Sequence, residues 1–155
     1  MSQGYISKLT IMLNSIGIPA RSTDDISYEI WRKAIPIIAG NSINALTRKR
    51  LGIISEIPEL RVSLNAIIQE SLNIALAEGI NLNEEDLIRS MDNAIEKGYE
   101  HKTSMLIDIL NNRKTEVDFL NGKIIELGKK HHIQTPLNLL IYGLIKAIEE
   151  RNGND

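Results

Sequence analysis

From Ile30 to Leu46 the chain presents apolar residues on almost every side of a helix: Ile30, Trp31, Ala34, Ile35, Ile37, Ile38, Ala39, Ile43, Ala45 and Leu46. A helix that is apolar all round is mostly buried, so other elements have to cover it. Pro36 lies inside this stretch. It removes one backbone hydrogen bond and favours a kink, at about 3 kcal/mol if nothing compensates.

The rest of the chain repeats its apolar residues at helical spacing, and the fold class predicted is all-α, a compact multi-helix bundle. Ile6, Leu9, Met12, Leu13 and Ile16 form a stripe that Gly17 and Pro19 stop. Residues 18–22 read as a short extended segment, a candidate strand. Asp24 or Asp25 caps the long helix, which runs to about Arg50. Pro58 is placed to open a second long helix at its first position. Leu60, Leu64, Ile67, Ile68, Leu72, Ala75 and Leu76 would be its buried face, and Gly79 its end. Asn83, followed by Glu84, Glu85 and Asp86, reads as a cap with acids in the first turn. Leu87, Met91, Ala94 and Ile95 carry that helix to Gly98. A short helix is expected over 104–111. Thr115, with Asp118 three residues on, resembles a capping box for another. Pro136 opens the last helix, with Leu139, Leu140, Leu144, Ile145 and Ile148 expected inward. A tail over 151–155 is expected to fray.

Net charge is −2, which points to neither nucleic acid nor an anionic membrane. Cysteine is absent, so disulfides and thiolate metal sites are ruled out, and a reducing cytoplasm fits. No apolar run approaches the roughly 20 residues needed to span a bilayer. His131 and His132 are adjacent and point to different sides of a helix, and His101 is isolated, so no metal site is expected.

Several polar residues stand out against this greasy background. Lys33 sits in the middle of the apolar helix and either snorkels to water or has a function. Asn41 and Asn44 lie roughly 80° and 20° around the helix from it, at 3.6 residues per turn. Buried amides need partners, and these are either a polar ligand or side chains of another helix. Glu116 follows the Thr115 cap, where an acid also suits a first helical turn. Ser104 reads equally as an N-cap. Gly122 reads as a mid-helix glycine, which points to close approach of another helix or a ligand.

Taken together, three tracts resemble the C-terminal substrate domain of the ketopantoate reductase family. Trp31 and Lys33 match its W-x-K opening. Asn41 matches the second of two asparagines that follow the lysine, and Ile37 replaces the first. Ser104-Met105-Leu106 with Asp108 is similar to its S-M-x-x-D. Thr115-Glu116-Val117-Asp118 with Asn121-Gly122, and Thr135-Pro136 with Asn138 and Tyr142, are similar to its later motifs. The resemblance covers about residues 25–146 and implies the helical fold of C-terminal domains in the 6-phosphogluconate dehydrogenase superfamily.

It further implies reduction of a 2-keto acid to a 2-hydroxy acid, 2-dehydropantoate to pantoate, with hydride from NADPH. Lys33 would be the catalytic ammonium that stabilises charge on the substrate oxygen and donates a proton. It must be protonated at the outset, so burial has to be offset by water or a nearby anion. Glu116 would be catalytic as well, contacting substrate and cofactor, while Asn41 and Ser104 would bind substrate oxygens. Ile37 removes one amide and so bears on substrate choice. His101 falls where some members carry a polar contact, and no role is assigned to it.

On this reading residues 1–23 are the remnant of the end of a dinucleotide-binding domain, 24–150 the substrate and catalytic domain, and 151–155 a tail. No Gly-rich turn is present to seat a pyrophosphate. NADPH is therefore expected in the complete enzyme only, with this chain inactive alone. The expected partners are a small 2-keto acid, a dinucleotide-binding domain in cis or trans, and a second copy in a cytoplasmic homodimer. The alternative is a non-catalytic helical module, for dimerisation or small-acid binding, that has lost the chemistry.

Overall fold

A computed structural model describes residues 3–151 of the chain. The described residues form eight helices and no strand: α1 (Gln3–Ser15), α2 (Ile26–Thr47), α3 (Ile53–Glu56), α4 (Pro58–Ala77), α5 (Glu84–Lys97), α6 (Ser104–Leu110), α7 (Asn121–His131) and α8 (Pro136–Arg151). The frayed tail expected over 151–155 falls, apart from Arg151 at the end of α8, outside the described residues. No helix among them is long and apolar enough to cross a membrane.

The long apolar helix lies at the centre. Its N-terminus is set by Asp25, whose side chain accepts a hydrogen bond from the Tyr28 N–H at 2.9 Å. It continues through the buried Pro36 as one element and stops where Arg48 turns left-handed, at φ 54°. α4, α5, α6 and α8 all pack against it. Ile35, Ala39 and Ala45 have no exposed surface. At Gly40 a Cβ would lie 2.8 Å from the Met91 methyl, so this glycine lets α5 come close.

Polar residues cross this core as a relay. Ser42, Asn121 and Asn138 are fully buried. Ser42 Oγ lies 3.1 Å from Asn121 Oδ1 and 2.6 Å from the Ile38 carbonyl oxygen. Asn121 Nδ2 donates to Asn138 Oδ1 at 3.0 Å, and Asn138 Nδ2 donates to Glu70 Oε2 at 2.9 Å. The Glu70 carboxylate also accepts the backbone N–H groups of Leu137 (2.8 Å) and Asn138 (3.0 Å). A side chain of α4 thus accepts two N–H groups in the first turn of α8, and its charge suits a helix N-terminus.

Four sequence-based expectations change. Residues 18–22 form no strand. Asn14 instead brackets Ala20, donating to its carbonyl (2.9 Å) and accepting its N–H (3.1 Å), as a neighbouring strand would. The helix expected from Thr115 begins only at Asn121. Thr115 and Asp118 are engaged by α8 rather than by each other, so residues 116–120 remain a turn. Leu139, Leu140 and Leu144 face outward, at 56%, 59% and 46% exposure. α8 buries the stripe Asn138, Ile141 and Ile145 instead, which is an equally regular helical face. On α4, Leu76 is exposed for the same geometrical reason.

Asn121 holds the middle of the relay, and its loss leaves the buried Asn138 Oδ1 without its donor and Ser42 with the Ile38 carbonyl alone. Asn121→Ala is expected to lower the unfolding free energy by about 2–4 kcal/mol. Urea titration checks this, and unchanged stability would show that the relay contributes nothing.

Candidate active-site cleft

The residues that cover one side of α2 leave a cleft of about 1030 Å³. Lys33, Ile37, Gly40 and Asn41 line it from α2, and Met91 and Ala94 from α5. His101, Thr103, Ser104 and Ile107 come from α6 and the segment before it, and Glu116 from the following turn. Helical spacing puts Lys33, Ile37 and Asn41 on one stripe, successive turns apart.

The polar corner of the cleft is built around Glu116. Its Oε1 accepts from Ser104 Oγ at 2.7 Å and from Asn41 Nδ2 at 3.3 Å. Ser104 is available because it is not the cap of α6. That position belongs to Thr103, whose hydroxyl accepts from the Leu106 N–H at 3.4 Å. Asn44, one turn beyond Asn41, accepts the Thr103 N–H at 3.4 Å and so ties the start of α6 to α2. Its Nδ2 is buried and has no partner among the described residues.

Lys33 is exposed and makes no hydrogen bond or ion pair with the described residues. It reaches water, as a snorkelling lysine does, but it does so inside the cleft that Glu116 also lines. His101 lines the same cleft. Among the described residues, no three histidine, aspartate or glutamate side chains converge as a metal site.

Two ionic groups, one lining the cleft and one behind its turn, were given no role by the sequence. At its mouth, Glu29 accepts from Arg32 at 2.8 Å and also pairs with Arg21. The Arg32 hydrogen bond, set against partial desolvation and helped by Arg21, holds the Glu29 carboxyl below its usual range. The Glu29–Arg32 spacing of three was a legible signal. Behind the turn, Tyr142 donates to Asp118 at 2.8 Å, and Lys146 bridges Asp118 (3.2 Å) and Glu149 (2.9 Å). Gly122 stands beside these groups, where a Cβ would come within 3.2 Å of the Tyr142 ring. The close neighbour is therefore a helix, α8, and Gly122 is the second residue of α7 rather than its middle.

Residues 25–149 match the family model described as ketopantoate reductase PanE/ApbA C terminal. This chain belongs to that family. A 2-dehydropantoate 2-reductase of Pyrococcus abyssi is 35% identical over 152 residues, covering 96% of this chain and 49% of that protein. Among solved structures, D-mandelate dehydrogenase with NADH and anilino(oxo)acetate superposes with a TM-score of 0.92. It is 27% identical, over 97% of this chain and 63% of that one. A dimeric ketopantoate reductase from Staphylococcus aureus gives a TM-score of 0.83 at 27% identity, over 99% of this chain and 54% of its own. The chain thus spans about half the length of the curated relatives it matches.

The all-helical architecture is that of the family's C-terminal domains, as the resemblance implied. The described residues do not fit a whole dinucleotide. With no strand among them, no strand–turn–helix unit is formed to receive a pyrophosphate.

The charges behind the turn give a pH signature. Burial pushes the Glu149 carboxyl up, but Lys146 and the two Thr115 donors outweigh it and leave it lowered. The Tyr142 hydrogen bond, against desolvation and with help from Lys146, lowers Asp118. The Glu149 carboxylate leads in raising Lys146, and Asp118 raises Tyr142. Lowered carboxyls stabilise the fold above their unfolded range and lose that contribution as pH falls through the folded value. The raised Lys146 and Tyr142 contribute fully below their unfolded values and lose it at high pH. The melting temperature is therefore expected to be flat between about pH 5 and 9, falling below about pH 4 and above about pH 10. Glu149→Gln is expected to flatten the acid limb. An identical acid limb in that variant, followed by circular dichroism, would show that Glu149 is not linked to folding.

Proposed function

We propose that this chain is the substrate-binding half of a cytoplasmic, NADPH-dependent reductase that converts a 2-keto acid to a 2-hydroxy acid, of the 2-dehydropantoate type. The observation that carries the proposal is the shared cleft. An unpaired ammonium, Lys33, and a carboxylate pinned by two donors, Glu116, line one cavity of a size suited to a small molecule. The name of the Pyrococcus relative supports the same chemistry.

Reduction of a ketone builds negative charge on its oxygen. Lys33 stabilises that charge and delivers the proton that completes the alcohol. Asn41 and Ser104, which hold Glu116, share the polar corner and orient the substrate oxygens with it. Glu116 contacts substrate and, in the complete enzyme, would help hold the cofactor. The reductant is supplied from outside this chain, on a dinucleotide-binding domain joined in cis or trans. α1 supports such a partner. Tyr5, Leu9, Ile11 and Met12 are all exposed, and no residue of α1 belongs to the buried core. Leu139, Leu140 and Leu144 on α8 offer a second apolar face for a homodimer, the state named for the Staphylococcus relative.

Supplying the N-terminal half of the Pyrococcus abyssi relative, fused or in trans, is expected to give NADPH oxidation with 2-dehydropantoate. In that assembly Lys33→Ala is expected to lower kcat by about 10²–10⁴-fold. Wild-type rates in the variant would remove Lys33 from the chemistry. No turnover with any 2-keto acid, despite a folded complex, would favour a non-catalytic module instead.

Sedimentation velocity tests the assembly. Two chains are expected in the wild type and one in Leu140→Glu, and a monomeric wild type would refute the homodimer.

A further inference from the structure

Glu116 sits in no helix. The turn that carries it spans residues 111–120, between the end of α6 and the start of α7. Its own backbone fixes part of it: the Glu116 carbonyl accepts the N–H groups of Phe119 and Leu120 at 3.0 and 3.1 Å, but no contact within residues 111–120 reaches back to the Thr115 N–H. Asn112 adopts a left-handed φ of 52°, and Asp118 and Phe119 are exposed. A turn of this kind samples many conformations unless tertiary contacts choose one. Yet the site needs the Glu116 carboxylate held to a fraction of an ångström against Asn41 and Ser104.

The contacts that choose come from α8. The side chain of Glu149 is only 5% exposed. Its Oε1 accepts both the backbone N–H and the hydroxyl of Thr115, each at 2.7 Å. Thr115 Oγ1 in turn accepts the Val117 N–H at 3.2 Å, and Val117 has no exposed surface. Both neighbours of Glu116 are thereby fixed, one by hydrogen bonds and one by burial. Glu149 Oε2 is held by Lys146 at 2.9 Å, and Lys146 with Tyr142 fixes Asp118 on the far side. At the start of the turn, Arg113 closes back on Asp108 through an ion pair at 2.9 Å and a backbone hydrogen bond of the same length. None of Glu149, Lys146 and Tyr142 lines the cleft.

We propose that Glu149, held by Lys146, is a positioning residue: it clamps Thr115 so that the Glu116 carboxylate faces Asn41 and Ser104 in the cleft. The arrangement has a chemical logic. A carboxylate at position 149 is the one group there that accepts two donors from a single residue while a lysine neutralises it. Truncating it leaves the Thr115 N–H without a partner, removes the acceptor of the Thr115 hydroxyl and frees the turn, while Lys146 keeps Asp118. The loss is felt at Glu116, and Glu149 itself hydrogen-bonds to no residue that lines the cleft.

The proposal rests on the reading of Glu116 as a site residue, and the test separates the two. In this chain alone, the Asn41 side-chain amide reports the position of Glu116, because it donates to Oε1. Its two ¹H–¹⁵N signals are assigned in the wild type, in Glu116→Ala, and in Glu149→Ala. Glu149→Ala is expected to move them most of the way to the Glu116→Ala positions while the helix content stays unchanged. Thr115→Val, which removes only the hydroxyl, moves them in the same direction by less, and it serves if Glu149→Ala does not fold. Glu149→Gln keeps an oxygen for Thr115 and stays close to the wild type. Signals at wild-type positions in folded Glu149→Ala and Thr115→Val overturn the proposal.

A second arm uses the assembly with a dinucleotide-binding domain. Glu149→Ala is expected to lower kcat/KM for the 2-keto acid by on the order of tenfold to a hundredfold. Adding it to Glu116→Gln is expected to cause no further loss, since both act through one carboxylate. Fully multiplicative losses would show that Glu149 acts on stability alone and overturn its positioning role. Absence of turnover in the assembled wild type refutes the reductase reading, and the NMR arm then decides the clamp by itself.

Discussion

A helix buried on nearly all sides has to find partners for each polar group it carries into the core. α2 carries three such residues within one turn of one another. Asn41 meets Glu116, Ser42 meets Asn121, and Asn44 meets the backbone of Thr103. Each partner belongs to a different piece of chain: the turn after α6, the first residue of α7 and the entry to α6. Apolar packing alone leaves the register of these segments loosely specified, because isoleucine and leucine faces slide at little cost. A buried amide left unpaired costs about 1–3 kcal/mol, so these contacts select one arrangement. They are also what brings residues 41, 103, 104 and 116 to one place.

The cleft follows from that arrangement. Its apolar wall comes from the same isoleucine-rich helix that forms the core, and Ile37 stands between Lys33 and Asn41 on the stripe facing the cavity. Its polar corner comes from side chains whose other duties are already met. Thr103 caps α6, which leaves Ser104 free for Glu116. Glu70 caps α8 from α4, so Asn138 and Asn121 can relay onward to Ser42. The division between support and site is sharp. Buried polar residues on one side of α2 fix the scaffold, and those on the other side end in the cleft.

Much of this was legible in residue order, for identifiable reasons. Asp25, Pro58, Gly79 and Asn83 are local signals, and each marks a boundary that the structure keeps. Gly79 does so with φ of 84°. The candidate site residues were legible only because Lys33 and Asn41 are polar in a greasy helix and because their order along the chain resembles a family pattern. Local signals failed wherever a distant group intervened. Thr115 followed by Asp118 carries the pattern of a capping box, but Glu149, 34 residues away, takes the hydroxyl and the N–H that the box would use. In α8 two stripes are equally apolar in outline, 138/141/145 and 139/140/144. Only the buried Asn138, held by Glu70 and Asn121, decides which one turns inward.

Open faces complete the physical picture. Exposed leucines on α8, a helix α1 outside the core and an unpaired Lys33 at the wet end of the cleft belong to one chain that spans about half the length of its curated relatives. Under the proposed reaction, these features are related. An ammonium that faces bulk water stabilises a developing oxyanion weakly, because the solvent screens it and competes for the same oxygen. A second domain seated over the cleft would expel that water, strengthen the interaction and supply the reductant. Glu116 needs no such closure, because Asn41, Ser104 and the α8 clamp already hold it. Under that proposal the carboxylate is set in advance by this chain, and the lysine would gain its full effect once a covering domain excludes water.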